Sequence, residues 1–314
     1  MLVSILVPAF NREMHLETCV RSALSQTYKD IEIIIVDNCS TDKTWEICKK
    51  LENLDKRIQI YRNPTNIGPI RNWQKCLDIS SGEYIKVLFS DDLLSPYCVE
   101  KMVSMFSDQV AFVFSKARIF KDDPQKGVIR YDLGKTGNYH SKDFIYESIF
   151  ADKFPVSPGA AIFRRRDFKK CLILDIPNRI KSDFSAHGIG PDLILFLLII
   201  RKYNYYAYID EILSYFRDHD GSISSSSGQS KRVLYYSLAK CYFVKNYYPQ
   251  IEELFYAYIK IIILIFRKWD FGKRVTIYDF FEKNKNIPLS IYLKAIMILL
   301  KRYLRVLIVN KKIS

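Results

Sequence analysis

Asp91 and Asp92 are adjacent carboxylates that close an apolar run, Tyr84 to Phe89. Hard divalent cations take carboxylate oxygens and often complete their shell with substrate phosphates, so such a pair can hold Mg²⁺ or Mn²⁺ against a diphosphate. A solvated acidic turn or a helix cap has the same composition, and the dipeptide alone does not separate the readings. Asp37 closes a second apolar run, Ile31 to Val36. Its carboxylate could accept from the N–H groups of a nucleobase, or cap a turn together with Thr41 and Asp42. No G-x-G-x-x-G follows the first apolar run and no G-x-x-x-x-G-K-[ST] occurs, which argues against a dinucleotide dehydrogenase and a P-loop ATPase. The seven cysteines are odd in number and form no C-x-x-C pair, a pattern of reduced thiols in a cytosolic compartment rather than of disulfides or zinc.

The elements that must position these groups follow from periodicity. Leu2 to Val7, Ile31 to Val36, Ile58 to Tyr61 and Tyr84 to Phe89 are short β-branched or aromatic runs, suited to strands buried on both faces. Between them, Leu16, Cys19, Val20, Ala23 and Leu24 form a helical stripe, as do Ile70, Trp73 and Leu77. Ser95 as N-cap with Pro96 at the first helical position predicts a further helix, striped by Val99, Met102, Val103 and Phe106. This alternation predicts an α/β fold, a Rossmann-like, mostly parallel central sheet flanked by helices. In such sheets ligands bind beyond the carboxyl ends of the strands, where the acidic residues above stand.

With 26% charged and 49% hydrophobic residues in 314, the chain is neither disordered nor fibrous. Its net charge of +14 is unevenly spread, since residues 230–314 hold 17 Lys and Arg against 5 Asp and Glu. A basic surface attracts nucleic acid, anionic lipid or phosphorylated substrates, and charge alone does not choose. The first eight residues lack the basic region and small-residue cleavage site of a signal peptide and read as a strand.

Four motifs stand in order at the strand ends: Pro8-Ala9-Phe10-Asn11-Arg12, Val36-Asp37-Asn38-Cys39-Ser40-Thr41-Asp42, Asn66-Ile67-Gly68 with Arg71-Asn72, and Ser90-Asp91-Asp92. Together they resemble the nucleotide-sugar-binding half of family 2 glycosyltransferases with the GT-A fold, strongly over about residues 1–115 and weakly to about 225. The resemblance implies nucleotide binding by Pro8, Ala9, Asn11, Arg12, Asp37, Asn66, Arg71 and Asp91, with Asp37 on uracil or a related pyrimidine and Asp91 near the ribose. It places Asp92 on a divalent metal, Mn²⁺ or Mg²⁺. Many members carry another Asp two residues before the acidic pair, where this chain has Phe89.

In the second half, Ser157 to Phe163 is similar to the small-residue segment that shapes the family's sugar and acceptor pocket, and reads equally as a turn into a strand. Asp192 stands where members place the general base, before an apolar helix, although Pro191 occupies a position that is usually acidic. It would take the proton of the acceptor hydroxyl; the plainer reading is a helix-dipole contact only. Arg217 and His219 resemble the family's Arg-x-His segment, and His219 is the second metal candidate. The Ser224 to Gly228 run reads as a link or an active-site lid. His15 and His140 carry no supporting pattern.

The organisation expected is a GT-A catalytic domain over 1–228, with a nucleotide-sugar half at 1–115 and an acceptor half at 116–228, then a basic, aromatic-rich helical extension over 229–314. The function implied is inverting transfer of a sugar, from a UDP-sugar, to a hydroxyl of a saccharide or lipid-linked saccharide in polysaccharide or glycolipid biosynthesis. Ile291 to Val309, apolar with interleaved Lys and Arg, reads as a helix lying on an anionic membrane or packed on the body. The expected location is cytoplasmic, at the inner face of the membrane. A sugar nucleotidyltransferase is disfavoured, because no Gly-rich basic signature follows the first strand. A noncatalytic nucleic-acid- or membrane-binding protein would rest on the basic tail alone; no RNA-recognition or zinc motif accompanies it, so no nucleic acid is expected.

Overall fold

The computed structural model describes residues 1–151, 154–219, 228–265 and 275–311, with side chains to residue 304. Its first half alternates strand and helix: β1 (Val3–Ala9), α1 (Leu16–Leu24), β2 (Ile31–Asp37), α2 (Thr44–Glu52), β3 (Ile58–Arg62), α3 (Pro69–Ile79) and β4 (Tyr84–Val87). β3, β2, β1 and β4 pair in parallel in that order. Every residue of β2 is buried, as its near-continuous apolar run, interrupted only by Glu32, requires of a strand covered on both faces. Val3, Ile5 and Val7 of β1 face one packed layer and Leu6 the other, so a hydrophobic core lies on each side of the sheet.

Beyond β4 the order changes. β5 (Leu93–Leu94) precedes α4 (Cys98–Ser104), followed by β6 (Val110–Phe120), β7 (Val128–Arg130), β8 (Gly137–His140), α5 (Ser141–Phe150), β9 (Ala161–Arg164), α6 (Arg165–Cys171), α7 (Phe184–His187), α8 (Pro191–Ile200) and β10 (Tyr205–Arg217). β9 enters antiparallel between β4 and β6, while β6 and β10 run parallel. The parallel pairing of consecutive strands is therefore confined to the first four. Ser157 to Phe163 forms a 3-10 turn, Pro158–Ala160, leading into β9.

The helix expected at Ser95-Pro96 begins at Cys98 instead. Leu93 and Leu94 pair with Tyr215 and Ser214 of β10, and the Ser95 amide donates to the Leu213 carbonyl, which holds the presumed cap in the sheet; a turn closed by the Cys98 amide on the Ser95 carbonyl then leads into the helix. Among the described residues, three α-helices follow the sheet: α9 (Gln229–Tyr247), α10 (Glu252–Ile265) and α11 (Leu289–Lys311). Packing of α9 and α10 onto the body is by shared core, with Phe255, Tyr256 and Ile259 in the same cluster as Phe112 and Phe144. The Tyr258 hydroxyl also donates to the Phe150 carbonyl at 3.1 Å. Among the described residues no helix is long and apolar enough to cross a membrane. The Ser224 to Ser227 run lies outside the described residues.

Candidate active site

β1 and β2 end side by side, Ala9 opposite Asp37, and the Asn38 amide donates to the Ala9 carbonyl at 2.8 Å, while Pro8 lies opposite Val36. The Asp37 side chain is fully buried and turned into its own loop. It accepts from the Ser40 amide at 3.2 Å and from the Ser40 hydroxyl, and Arg62 Nε reaches Oδ2 at 3.1 Å. Arg62 was not singled out from the sequence, although parallel register sets it opposite Asp37 at the same sheet edge. Its guanidinium lies 5.5 Å from the Trp45 ring centre, which leaves a flat, cationic and aromatic wall beside the buried carboxylate.

Asn11 and Arg12 tie this loop to the acidic pair. The Asn11 backbone is left-handed, φ 51°; its amide donates to Ser40 Oγ at 2.9 Å and its side chain accepts from the Thr41 amide at 2.9 Å. Asparagine tolerates this conformation because its short polar side chain bonds locally. The next residue points the other way: Arg12 Nε donates to Asp91 Oδ2 at 3.2 Å. Asp37 and Asp91 therefore sit on opposite sides of one two-residue turn.

His219 Nε2 lies 2.8 Å from the same Asp91 oxygen. The Arg217 amide donates to Asp92 Oδ1 at 2.9 Å, and its guanidinium Nε donates to the Asp91 carbonyl at 3.2 Å. Irregular pairing in β10, between Ile209 and Ser214, re-aims the strand before it delivers these residues. His15 stands 5.3 Å from His219, ring centre to ring centre. It sits one residue before α1, and nothing in the sequence pattern marks it. Burial, then the nearby Arg217 and His219, hold its imidazole below the ordinary range.

Asp92 is buried, and burial followed by the Asp91 charge pushes its carboxyl well above the usual range. A carboxylate so placed wants a counter-charge that a divalent cation supplies. Asp92 and the His219 imidazole are the oxygen and nitrogen donors here that would suit Mn²⁺ or Mg²⁺. Among the described residues no three His, Cys, Asp or Glu side chains surround one point, so the remaining ligands must come from a bound diphosphate or water. The residues fit a cation shared with substrate, not a closed protein cage.

Lys86 supports this edge from below. It is completely buried in β4, donates to the Gly159 carbonyl and lies 3.2 Å from Ser214 Oγ, pinning the small-residue turn between β4 and β10.

Asn66 and Arg71 belong to a second layer. Asn66 Oδ1 accepts from the Asn38 side chain at 2.8 Å and from the Gly68 amide at 2.9 Å. Asn63 and Asn72 extend the network, and Asn72 donates to the Val36 carbonyl at 3.0 Å. Arg71 donates to the Ser185 hydroxyl, linking α3 to α7. The structure thus brings Arg12, Asp91, Asp92 and His219 together at one sheet edge and joins Asn11 and Asp37 to it, whereas Arg71 is spent on Ser185.

Asp192 lies on α8, whose ten residues are all buried. Oδ1 accepts from the Gly190 and Leu193 amides, each at 2.8 Å, and Oδ2 accepts from the Tyr236 hydroxyl at 2.7 Å. Burial raises this carboxyl to about 6, against the lowering effect of those donors. Gly190 has φ 119°, and a Cβ there would stand 2.7 Å from the Phe184 ring, so glycine is required for the turn that caps the helix. Between the two acidic sites lies Tyr131, a bulky residue at φ 62°. Its phenol is pushed up to about 12, by burial first and then by Asp192 and Asp92 together.

A strand-end acidic pair, flanked by arginines on a helix-covered sheet, stands where α/β sheets bind their ligands. The chain belongs to glycosyl transferase family 2, whose profile matches residues 4–172, and it is a glycosyltransferase. The noncatalytic and nucleotidyltransferase readings are thereby set aside.

It is 32% identical over 225 residues to UDP-Glc:alpha-D-GlcNAc-diphosphoundecaprenol beta-1,3-glucosyltransferase WfaP of Escherichia coli, spanning 72% of this chain and 80% of that protein. It is 28% identical over 242 residues to the GalNAc(5)-diNAcBac-PP-undecaprenol beta-1,3-glucosyltransferase of Campylobacter jejuni, spanning 76% and 73%. A match to an uncharacterized glycosyltransferase of Haemophilus influenzae, 38% over 103 residues, spans only 41% of that protein's length. The crystal structure of S. aureus TarS residues 1–349 in complex with UDP-GlcNAc superposes with a TM-score of 0.65 at 18% identity, covering 94% of this chain and 79% of that one. That likeness establishes the fold, a GT-A sheet with a helical C-terminal region.

Proposed function

We propose that the protein transfers a sugar, with inversion, from a UDP-sugar to a hydroxyl of a lipid-linked saccharide, from a peripheral position on the cytoplasmic face of the membrane. The meeting of Asp91 and Asp92 with Arg12, Arg217 and His219 at one sheet edge carries this reading, because an anionic, metal-bridged donor makes use of both signs of charge there. The lipid-linked acceptor is supported by the two undecaprenol-linked substrates in the names of the relatives. Residues 1–228 form the catalytic domain in this reading, 1–115 seating the donor and 116–228 the acceptor.

In the donor site, Asp37 and the Arg62–Trp45 wall receive the pyrimidine, and the Pro8 to Arg12 turn lies along the nucleoside with Asn66 behind it, while Arg71 would reach the nucleotide only by leaving Ser185. Asp91 is placed for the ribose. Asp92, with His219, would hold Mn²⁺ or Mg²⁺, which neutralises charge on the leaving diphosphate when bound. Asp192 takes the acceptor's hydroxyl proton on Oδ2 as that oxygen attacks the anomeric carbon; the bond from that carbon to the diphosphate breaks, and UDP departs with the electron pair. A carboxyl raised to about 6 suits this work, being mostly ionised at neutral pH yet basic enough to accept a proton. One in-line displacement inverts the anomeric centre.

A thermal-shift panel of UDP-sugars with and without Mn²⁺, followed by transfer to a polyprenyl-diphosphate-linked GlcNAc, tests the reading. One UDP-sugar is expected to stabilise the protein and to give a product whose new linkage, by NMR coupling, has the opposite anomeric configuration to the donor. Retained configuration would overturn the mechanism, and indifference to every nucleotide sugar would overturn the donor class.

A further inference from the structure

The outer face of α11 is apolar and uncovered. Leu289, Leu293, Ile296, Met297, Leu300 and Leu304 are 41–73% exposed, and their spacing of three and four residues places them on one stripe. The opposite face holds the helix to the body. Ala295 is fully buried, Ile291, Ile298 and Leu299 pack on the core, and Arg302 donates to the Tyr258 hydroxyl at 2.9 Å. The exposed stripe therefore belongs to a docked helix with a fixed orientation.

Charge decides what covers it. Residues 289–311 contain five Lys and Arg and no Asp or Glu. Lys294 and Lys301, both exposed, are seven residues apart and share one flank of the stripe. A second copy of this helix would meet it with like charges and no acidic partner, whereas anionic headgroups would meet the lysines while acyl chains cover the leucines. Beside the helix opens a cleft of about 390 Å³ lined by Lys260, Asn284, Lys285, Asn286 and Tyr292. Lys260 lies 5.7 Å from the Tyr292 ring centre, and Lys285 pairs with Glu252 at 3.0 Å.

We propose that α11 lies in the plane of an anionic phospholipid bilayer, its leucine stripe at the acyl boundary and Lys294 and Lys301 at the headgroup phosphates. This surface deepens the peripheral location in the reading above but stands on its own geometry, and its test uses neither donor nor acceptor, so failure of docking and failure of the reaction are read separately.

The experiment is co-sedimentation of the full chain with vesicles of phosphatidylcholine alone or mixed with phosphatidylglycerol. Binding to the anionic vesicles, weakened by salt, is expected. Lys294→Ala/Lys301→Ala should lower the partition coefficient about thirty-fold, from about five-fold per basic residue near an anionic surface. Leu293→Glu/Leu300→Glu should abolish it while melting temperature and the UDP-sugar thermal shift stay as in the wild type. Equal partition onto both vesicle types, or binding that neither double variant changes, overturns the proposal. So does a wild-type dimer in sedimentation velocity that Leu293→Glu/Leu300→Glu dissociates without any vesicle binding, which would assign the face to a second copy.

Discussion

The two acidic centres of this molecule are built on opposite principles. Asp91 and Asp92 sit among charges, with Arg12, Arg217 and His219 all within hydrogen-bonding reach. Asp192 is held instead by two backbone amides and a phenol. Clustered charge of both signs serves to bind and orient a charged ligand, because formal charges dominate at short range in a partly desolvated site. A carboxylate held by neutral donors in an apolar helix end is tuned by desolvation instead, which raises it to about 6 and fits it for proton transfer. Substitutions that discriminate binding from proton transfer should therefore separate cleanly between the two centres.

The largest effect is expected at the first. Asp92→Asn keeps the shape of the side chain and removes its charge; kcat/KM should fall at least about a thousand-fold, the several kcal/mol that metal-assisted charge stabilisation contributes. The Mn²⁺-dependent part of the UDP-sugar thermal shift should vanish with it. If the Mn²⁺ dependence survives in Asp92→Asn, the metal role passes to other residues and the contrast between the centres fails.

Asp192→Asn should cost about a hundred- to ten-thousand-fold in kcat, the range of a general base, while leaving donor affinity within about two-fold. Isothermal titration with the UDP-sugar, together with single-turnover transfer, checks both halves. Weakened donor binding of the same size as the rate loss would place Asp192 in the binding machinery and dissolve the distinction.

The unequal legibility of the two centres has a physical basis. β1 to β4 and the acidic strand ends were readable because a parallel sheet buried on both faces leaves near-continuous apolar runs, and the residues after each run are polar. Asn11, Arg12, Asp37, Asp91 and Asp92 lie on that regular framework. Arg62 was recoverable in principle, since parallel register carries it beside Asp37. His15, Tyr131 and Tyr236 were not, because their places depend on long-range closure: His15 on the return of β10, Tyr131 on a left-handed residue after β7, Tyr236 on docking of α9 against α8. The helix start at Cys98 was misplaced for a related reason, since a two-residue strand pairing with distant β10 overrode a local cap signal.

Gly190 offers a smaller, structural test. Gly190→Ala retains the amide that Asp192 accepts from, but requires φ 119° of an alanine and brings its Cβ to 2.7 Å from Phe184. A loss of about 1–3 kcal/mol is expected from the backbone strain, measured by denaturant unfolding, with a fall in kcat from the displaced Asp192 and little change in donor affinity. The equivalent substitution at Gly134, where a Cβ meets nothing within 4 Å but φ is 94°, isolates the backbone part.

Tyr236 gives the smallest and most specific effect. Its hydroxyl donates to Asp192 Oδ2, the oxygen proposed to receive the proton, and a donor to a carboxylate stabilises the charged form and lowers its pKa. The rate needs the charged form, so kcat should be level above about pH 6 and fall tenfold per unit below it in the wild type. Tyr236→Phe removes the donor without removing the ring; the acid limb should move to higher pH by about one unit, and kcat on the alkaline plateau should change only a few-fold. The direction is diagnostic, because a purely structural role for Tyr236 lowers the whole profile without displacing it. An acid limb that stays in place would mean that the titrating group is not Asp192, and would return that carboxylate to the helix-capping role its two amide bonds also allow.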